Sequence, residues 1–596
     1  MKFAELAATY ERLEATKKRL EMRSLLSGLF RPVGTEEIAI VVYLTQGLLR
    51  PEFEGVELGI ADSLARRALA LALDVPEATV ADRARSSGDL GLTAAELAEK
   101  KAPTGVGHPL TVEEAYRELE DLAKAAGEGS QELKVQGLAG LLRRASPLEA
   151  KFLVRFVLGT LRVGVREMTI LDALTDAFAD GSKAARALVE QAFNLSSDLG
   201  LVARQLAAKG LAGLSEIHLE IGRPVRAMLA EREPDLASVL ERMGGRAAFE
   251  MKYDGLRVQA HVGKDRRVRL FSRRLEEISG QFPELVEELP RALRRVPVII
   301  EGECVPIDPS TGEIRPFQEV SRRRGRKYEL DRMREEVPVC LYTFDVLLAG
   351  TEETLHRPFG ERREILEGLV KATDRVRLAE QKVVENLEEA TEFFEEAVAE
   401  GGEGIMAKSL APGSAYRAGA RGFWWIKYKR EYTQGLGDSI DGVVIGALHG
   451  RGRRAGNYGA FLLAVYNPHL DRFESFCKVG TGFDDAQLAE MTQRLRPLEV
   501  ENRPPGVETE VVPDRWVKPR LVLEVRGAEL SLSPLHKAAV GEVRPGTGLA
   551  LRFPRFTGRI REDKGPTEAT TSHELLEMYR SQVRQAAPTP TEDADR

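Results

Sequence analysis

The run Glu250-Met-Lys252-Tyr-Asp254-Gly255-Leu-Arg257 places a lysine where it could act as a nucleophile. A strand that enters a turn at Asp254-Gly255 would present Lys252 at its end, with Glu250 on the same face, because side chains alternate along a strand. An amine held among cations in a partly dry cleft loses its proton readily and can attack an electrophile. The alternative is a hairpin that carries an ordinary solvated lysine.

The strand after this turn is expected to have two different faces. Arg257, Gln259 and His261 would share one face, and Val258, Ala260 and Val262 would point to the core. Four stretches of strand length follow the pattern expected for a mixed α/β domain. They are Ala247–Val262, Val296–Pro306, Val337–Leu348 and Gly404–Lys408.

The regions on either side have different patterns. Residues 1 to about 210 show apolar residues at three- and four-residue steps, which predicts helices, and Thr111 with Glu114 predicts a capping box. After Ser439 the chain is rich in strands and glycine turns, which suits a small barrel. The predicted fold class is therefore multidomain: helical, then α/β, then β.

Composition limits the class of protein. The chain has 596 residues, 43% hydrophobic and 30% charged, with a net charge of −7, which is typical of a globular protein. It has no long apolar run and only three separated cysteines, so we expect a cytoplasmic protein without a membrane span. The acidic total does not exclude nucleic acid, because residues 417–430 carry five cations and no acid.

The motifs downstream of Lys252 give a specific resemblance. Together with Glu250–Arg257 they make seven segments that resemble, in order, the motifs of the covalent nucleotidyltransferases, which include DNA ligases, RNA ligases and capping enzymes. The downstream motifs are Ser272-Arg273-Arg274, Glu301-Gly-Glu303, Tyr342-Thr-Phe344-Asp345, Glu403-Gly-Ile-Met-Ala-Lys408, Trp425-Ile-Lys427-Tyr-Lys429 and Arg552-Phe-Pro-Arg555-Phe, which continues into Arg559-Ile-Arg561-Glu-Asp563-Lys564.

Within that superfamily the chain resembles the ATP-dependent DNA ligases of the archaeal and eukaryotic replicative type. The final motif and the segment Phe152–Leu174 carry this likeness. It implies a helical DNA-binding domain over 1–210, an adenylation domain over 211–433 and an OB-fold domain over 434–578. Residues 579–596 are predicted to be a disordered tail.

The resemblance also implies a role for each motif residue. Lys252 would take AMP from ATP as a phosphoramidate, and Glu250 would meet the adenine. Arg257 and Arg273 would contact ribose and phosphates, which suits the planar arginine fork, and Arg421 would be the arginine that the family aims at the nucleotide. Phe344 would stack on adenine, although a phenylalanine in such an apolar run is often a core residue.

The remaining roles concern metal and phosphate. Glu303 would contact ribose or metal, and Glu403 would complete a Mg²⁺ site, since magnesium needs only one or two protein carboxylates. Glu301 is expected to be a salt-bridge partner. Lys427 and Lys429 would neutralise phosphates. The pyrophosphate would be oriented by Arg561, Asp563 and Lys564.

The implied enzyme uses ATP and Mg²⁺ to seal nicks in double-stranded DNA, and it acts as a monomer. The sequence leaves open whether a sliding clamp recruits it. Two alternatives are an RNA ligase or capping-type nucleotidyltransferase, which would use the same Lys252 chemistry, and a non-catalytic DNA-binding scaffold. An NAD⁺-dependent ligase is disfavoured, because the chain has no four-cysteine zinc module.

Overall fold

A computed structural model describes residues 1–100, 109–308, 313–315, 319–320, 323, 330–429, 439–450 and 456–586. The chain divides into two compact units. The first unit comprises Met1–Glu231, Arg246–Gln381 and Lys408–Trp425, and the second comprises Arg232–Gly245, Lys382–Ala407 and Ile426–Arg596.

The N-terminal part of the first unit is helical, as its periodicity predicts. Thr111 caps a helix in the predicted capping box: it accepts from the Glu114 N–H, and the Glu114 carboxylate accepts from the Thr111 N–H. The α-helices here are Phe3–Ala15, Arg19–Phe30, Ile38–Gln46, Asp62–Leu73, Glu77–Ser87, Leu90–Glu99, Val112–Lys124, Ser130–Arg144, Pro147–Val157, Glu167–Phe178, Lys183–Ser196 and Leu199–Lys209. Short 3-10 helices are Glu52–Glu54 and Gly210–Glu216.

The rest of the first unit is built on a largely antiparallel sheet. Its strand order is Val268–Ser272, Leu256–Val262, Val298–Pro306, Val339–Ala349 and Glu352–Glu353, and Val376–Leu378 pairs in parallel with Val339–Ala349. Among the described residues it is accompanied by the α-helices Pro283–Ala292, Leu330–Glu336 and Phe359–Leu369 and by the 3-10 helices Ser279–Gln281 and Thr354–His356. Apolar residues of alternate strand positions form its core, including Val258, Ala260 and Val262, as predicted.

The second unit contains a curled β-rich region, which agrees with the predicted fold class. Its larger sheet runs in the order Glu499–Val500, Arg515–Val517, Ile440–His449, Tyr458–Asn467, Arg472–Val479 and Val507–Glu508; Val522–Arg526 pairs with Ile440–His449 and with Arg555–Ile560. Glu529–Ser533 pairs with Gly548–Arg552. The helices of this unit are Leu236–Arg242, Leu387–Ala399, Asp485–Leu495 and Ser572–Ala586, with 3-10 turns at Arg496–Leu498 and Pro566–Glu568.

The remaining strands are Leu229–Arg232, Ala247–Lys252, Gln381–Val384, Gly404–Ser409 and Arg421–Lys429. In the part of the chain that the structure describes, no helix combines the length and the apolar character needed to cross a membrane.

The C-terminal helix differs from the predicted tail. The sequence predicts disorder from residue 579, but the helix Ser572–Ala586 continues through the first part of that segment. Leu575 and Leu576 are buried, and the Gln582 amide exchanges two hydrogen bonds with the backbone of Leu530. These contacts extend the fold to Ala586; residues 587–596 lie outside the described part.

A buried ion pair stabilises the helical part. Asp89 accepts from the Arg155 guanidinium at 2.8 Å and also caps the helix Leu90–Glu99 through the Leu92 N–H. Burial alone would raise the pKa of Asp89, but the hydrogen bonds from Arg155 and Leu92 and the nearby positive charges hold that pKa below its usual value. A carboxylate with a lowered pKa contributes stability above its ordinary pKa and loses that contribution as the pH falls through the lowered value.

Asp89→Asn should therefore lower the stability of the helical part at pH 7 by about 3 kcal/mol, because Asn keeps the cap but removes the buried counter-charge of Arg155. Arg155 then keeps only the partly exposed Glu14 as an ion-pair partner. Thermal unfolding at pH 7 and at pH 3 measures this, and the gap between wild type and variant should narrow at pH 3. Asp82→Asn, which changes an exposed partner of Arg85, is the matched control and should have little effect. Equal losses in both variants would contradict the prediction.

Candidate functional site

Lys252 lies where the sequence places it, at the end of the strand Ala247–Lys252, and it is half-buried. The turn at Gly255 is fixed by close packing, since a Cβ there would lie 2.5 Å from the carbonyl oxygen of Cys304. The strand after the turn does not form a hairpin with Ala247–Lys252; it pairs with Val298–Pro306, and Arg257 lies opposite Glu303. The turn therefore separates the strand that ends at Lys252 from the strand that carries Arg257.

Arg257 is held by a buried carboxylate. Its Nη2 donates to Glu301 Oε2 at 2.7 Å, and its Nη1 donates to the Met228 carbonyl at 3.0 Å. The Tyr416 hydroxyl donates to the same Glu301 oxygen at 2.8 Å. Burial alone would lower the pKa of Arg257, but Glu301 raises it above the usual range. The expected salt-bridge role of Glu301 is confirmed, and Arg257 is presented as a fixed cation.

The polar face of the same strand is also covered. The Gln259 amide bonds both the N–H and the carbonyl of Val225, and the Gly222 N–H donates to His261 Nδ1 at 3.0 Å. Burial lowers the pKa of His261 to about 3, so this imidazole is neutral at physiological pH. Gln259 and His261 therefore anchor the segment 222–225 and are not exposed beside Arg257.

Glu250 has a buried cation as its partner. Lys408 Nζ lies 2.6 Å from Glu250 Oε2, and both side chains are at most 3% exposed. Gln381 Nε2 donates to the other Glu250 oxygen at 2.9 Å. Burial lowers the pKa of Lys408, and the Glu250 charge opposes that shift. The implied contact of Glu250 with adenine stays a prediction. Its side chain is held in place by Lys408 and Gln381.

Phe344 belongs to an aromatic cluster and not to the closed core. Phe344 is half-buried on its strand and meets Trp425 edge to face, with ring centroids 6.1 Å apart. Lys408 Nζ lies 4.7 Å from the Phe344 ring and 4.5 Å from the Trp425 ring, and the Arg257 guanidinium lies 5.3 Å from Phe344. A partly exposed ring held from one side can serve as a stacking platform.

Arg273 is exposed after the strand Val268–Ser272 and approaches Arg257. Both arginines line a small cavity together with Glu301. Arg273 also lines a larger cavity of about 730 Å³, in which Arg226 and Glu167 form an ion pair. The first unit thus brings Arg257 and Arg273 together, as the resemblance implies.

Glu303 lies half-buried on the strand Val298–Pro306, opposite Arg257. Glu301, Gly302 and Glu303 pair one to one with Gln259, Val258 and Arg257, so the two glutamates lie on the same face of a regular strand. An irregularity lies on the neighbouring strand, where Phe344 is the extra residue between Thr343 and Asp345.

The strand Arg421–Lys429 shows the alternation that the sequence predicts. Lys427 and Lys429 are half-buried, Ile426 and Tyr428 are buried, and Arg421 is exposed at the start of the strand. In the second unit Lys429 Nζ lies 3.0 Å from Glu403 Oε2. The predicted phosphate contact and the predicted metal ligand are therefore partners of each other.

The motif near the C-terminus forms its own ion-pair network. Arg561 makes a two-bond contact with Asp563, at 2.9 and 2.8 Å, and its Nη1 donates to Asp441 Oδ2 at 2.7 Å. Lys564 Nζ donates to the same Asp441 oxygen at 2.7 Å. The Arg561 hydrogen bonds hold the pKa of Asp563 well below its usual value. The three predicted residues are brought together.

Two residues of these networks were not assigned from the sequence. Lys408 was seen but given no role, although a lysine inside the apolar run Gly404–Ser409 signals a buried charge that needs a partner. Asp441 was missed, although it is the one acid in the apolar run Ile440–Leu448. A single charged residue in an apolar run indicates that an opposite charge lies nearby, but it does not indicate which residue carries that charge.

Comparison with known proteins gives three matching family models. The model described as DNA ligase N terminus matches residues 2–175, the ATP dependent DNA ligase domain matches 227–429, and the ATP dependent DNA ligase C terminal region matches 454–564.

Several curated relatives match along almost the whole chain. The "DNA ligase 2" of Thermofilum pendens is 48% identical, and the match covers 98% of both chains. The "Probable DNA ligase" of Aquifex aeolicus is 47% identical over 98% of this chain and 99% of its own. A solved structure called Pmar-Lig_Pre covers 94% of this chain and 99% of its own with a TM-score of 0.54; at 18% identity it supports the fold alone.

The buried Glu250–Lys408 pair can be tested by a double-mutant cycle. Glu250→Gln and Lys408→Met should each destabilise the first unit by about 3 kcal/mol, because each leaves a buried charge unpaired. The double variant should lose clearly less than the sum, because both charges of this pair are removed together. Arg363, 3.6 Å from Glu250, is present in all three variants. Denaturant unfolding measures the three values.

The exposed pair of Lys382 and Glu392 supplies the control. Lys382→Met should change the unfolding midpoint little. Additive losses at Glu250 and Lys408 would show that the two charges do not depend on each other.

Proposed function

The chain belongs to the family of ATP-dependent DNA ligases, and from this membership we propose that Lys252 is the residue that carries AMP between ATP and a DNA nick. The position of Lys252 carries the proposal: it ends a strand within the matched ligase domain, five residues before an arginine that a buried carboxylate fixes.

The proposed reaction has three balanced steps. Lys252 Nζ attacks the α-phosphorus of ATP, the bond to the β-phosphate breaks, and pyrophosphate leaves. An oxygen of the 5′-phosphate at the nick then attacks the phosphorus of the lysyl-AMP and releases the lysine. Finally the 3′-hydroxyl attacks the 5′-phosphorus, a phosphodiester bond forms, and AMP leaves.

The proposed nucleotide contacts follow from the fixed groups of the first unit. Phe344 supports the adenine ring, and Glu250 holds the strand end beside the base. Arg257 and Arg273 face ribose and phosphate oxygens, and Arg421, exposed at the start of its strand, contacts the nucleotide. Arg257 needs no reorientation when substrate binds, because Glu301 and the Met228 carbonyl already hold its guanidinium.

We propose Mg²⁺ as the metal, with Glu303 and Glu403 as candidate carboxylate ligands that each act together with phosphate oxygens. Among the described residues no group of three or more His, Cys, Asp or Glu side chains could hold a metal. A sparse set of carboxylates suits magnesium, which keeps several waters and is bound largely through substrate phosphates. When bound, the ion would neutralise phosphate charge, while Lys427 and Lys429 supply further positive charge on one strand face.

We propose the domain limits 1–210, 211–433 and 434–578, since each matched family model falls within one of them.

A ligase must seal any sequence, so the helical and C-terminal domains should contact the DNA backbone, and binding should weaken steeply with salt. We further propose a monomer in the cytoplasm. Cys304, Cys340 and Cys477 are free and buried, which fits a reducing compartment.

The alternative functions have less support. The N-terminal match to a DNA ligase domain disfavours an RNA ligase or a capping enzyme. A non-catalytic scaffold would have no reason to keep Lys252, Glu303, Glu403, Lys427 and Lys429.

Intact-mass spectrometry tests the nucleophile. After incubation with ATP and Mg²⁺ the wild type should gain the mass of one AMP, and Lys252→Ala should gain none, because no other residue replaces the attacking amine. Lys264→Ala, at an exposed turn position, is the matched control and should be adenylated like the wild type.

Addition of nicked duplex DNA should remove the AMP from the wild type and yield sealed product. An adduct that persists with nicked DNA would favour the RNA-end alternative, and a wild type without any adduct would contradict the proposal.

The metal assignment is tested by titration. Chelation of Mg²⁺ should abolish AMP transfer to the protein. Glu303→Gln and Glu403→Gln should each raise the Mg²⁺ concentration for half-maximal rate by about tenfold, as expected when a ligand is lost. Glu395→Gln, on the exposed face of Leu387–Ala399, should leave this concentration unchanged. An unchanged requirement in both test variants would remove these residues from the metal site.

A further inference from the structure

The second unit contains a buried acid that no predicted role uses. Asp441 lies at the start of the strand Ile440–His449 and is only 5% exposed. Its Oδ2 accepts from Arg561 Nη1 and from Lys564 Nζ, both at 2.7 Å. Its Oδ1 is buried and has no hydrogen-bond donor among the residues that the structure describes.

The sheet brings a second carboxylate to the same place. Asp441 lies directly opposite Glu524, which belongs to the neighbouring strand Val522–Arg526. Like charges directly opposite each other destabilise a strand pair. Arg561 follows the next strand, and its Nη1 lies 3.9 Å from the Glu524 carboxylate, so this one guanidinium serves both acids.

Stability alone does not account for Asp441. Backbone pairing already joins these strands, and a buried carboxylate with an unsatisfied oxygen opposite another carboxylate is costly. What Asp441 provides is a fixed point for two cations. The Asp563 carboxylate holds the Nε–Nη2 edge of Arg561, and Asp441 holds Nη1, so the guanidinium has one orientation.

We propose that Asp441 is a positioning residue for the first step of the reaction, where it orients Arg561 and Lys564 toward the departing pyrophosphate. The inference rests on the proposed function, in which these two cations act on pyrophosphate. Loss of the Asp441 charge should therefore slow only the first step, because pyrophosphate is absent when AMP moves to DNA and when the nick is sealed.

Asp441→Asn keeps the size of the side chain and removes its charge. The maximal rate constant of self-adenylation, a single-turnover step, should fall by about tenfold or more. The ATP concentration for half-maximal rate should change little, since positioned charges act on the transferring phosphates in the transition state. Sealing of a nick that already carries AMP on its 5′-phosphate, assayed without ATP, should proceed at the wild-type rate. Asp485→Asn, at an exposed position of the same unit, should change neither step.

Two further variants distinguish positioning from a structural role. Asp441→Glu retains the charge and should recover part of the adenylation rate. In an Arg561→Ala background, Asp441→Asn should cause a much smaller additional loss, because Asp441 acts largely through Arg561.

Three outcomes would overturn the inference. If Asp441→Asn slowed self-adenylation and sealing of the adenylated nick equally and also lowered the Tm, the role of Asp441 would be structural. An unchanged adenylation rate would remove it from the reaction, and a faster rate would mean that it restrains the cations. A wild type that forms no AMP adduct would instead contradict the proposed function itself.

Discussion

The buried carboxylate of Glu301 imposes a requirement that organises the first unit. Its side chain is 1% exposed in the middle of a sheet, so its charge must be neutralised by a partner of matching geometry. Arg257 supplies that partner, while Tyr416 and Gln259 satisfy further oxygen contacts. Because Arg257 also donates to the Met228 carbonyl, one carboxylate fixes two strands and the segment that approaches them.

The same requirement recurs around Phe344. Asp345 and Arg362 form a fully buried two-bond pair, at 2.8 and 3.0 Å, and Lys408 pairs with Glu250 behind the aromatic rings. Each buried acid takes a cation from a different element, so breaking any pair leaves an uncompensated charge. The result is preorganisation. The side chains that would face ATP are already held in place, so they lose little conformational entropy when substrate binds.

In the second unit the charge pairs involve residues with predicted roles. Glu403 pairs with Lys429, and Asp441 with Arg561 and Lys564. A cation that must meet a phosphate is strongly hydrated when alone, and a nearby carboxylate keeps it oriented at a lower cost in entropy. Such a carboxylate would therefore orient the cation without contacting the nucleotide itself.

The sequence by itself determined the order of helical, α/β and β-rich regions, since hydrophobic period and capping residues are local properties, as Thr111 and Val258 illustrate. It also predicted the salt-bridge role of Glu301, which the structure confirms, whereas the roles of Lys252 and the other motif residues stay predictions. Only the tertiary structure decided that Lys408 neutralises Glu250, that Gln259 and His261 are covered, and that Asp441 holds Arg561. The physical reason is that a charged residue in an apolar run indicates only that a partner of opposite charge must lie nearby. Which residue is that partner depends on contacts between positions more than a hundred residues apart.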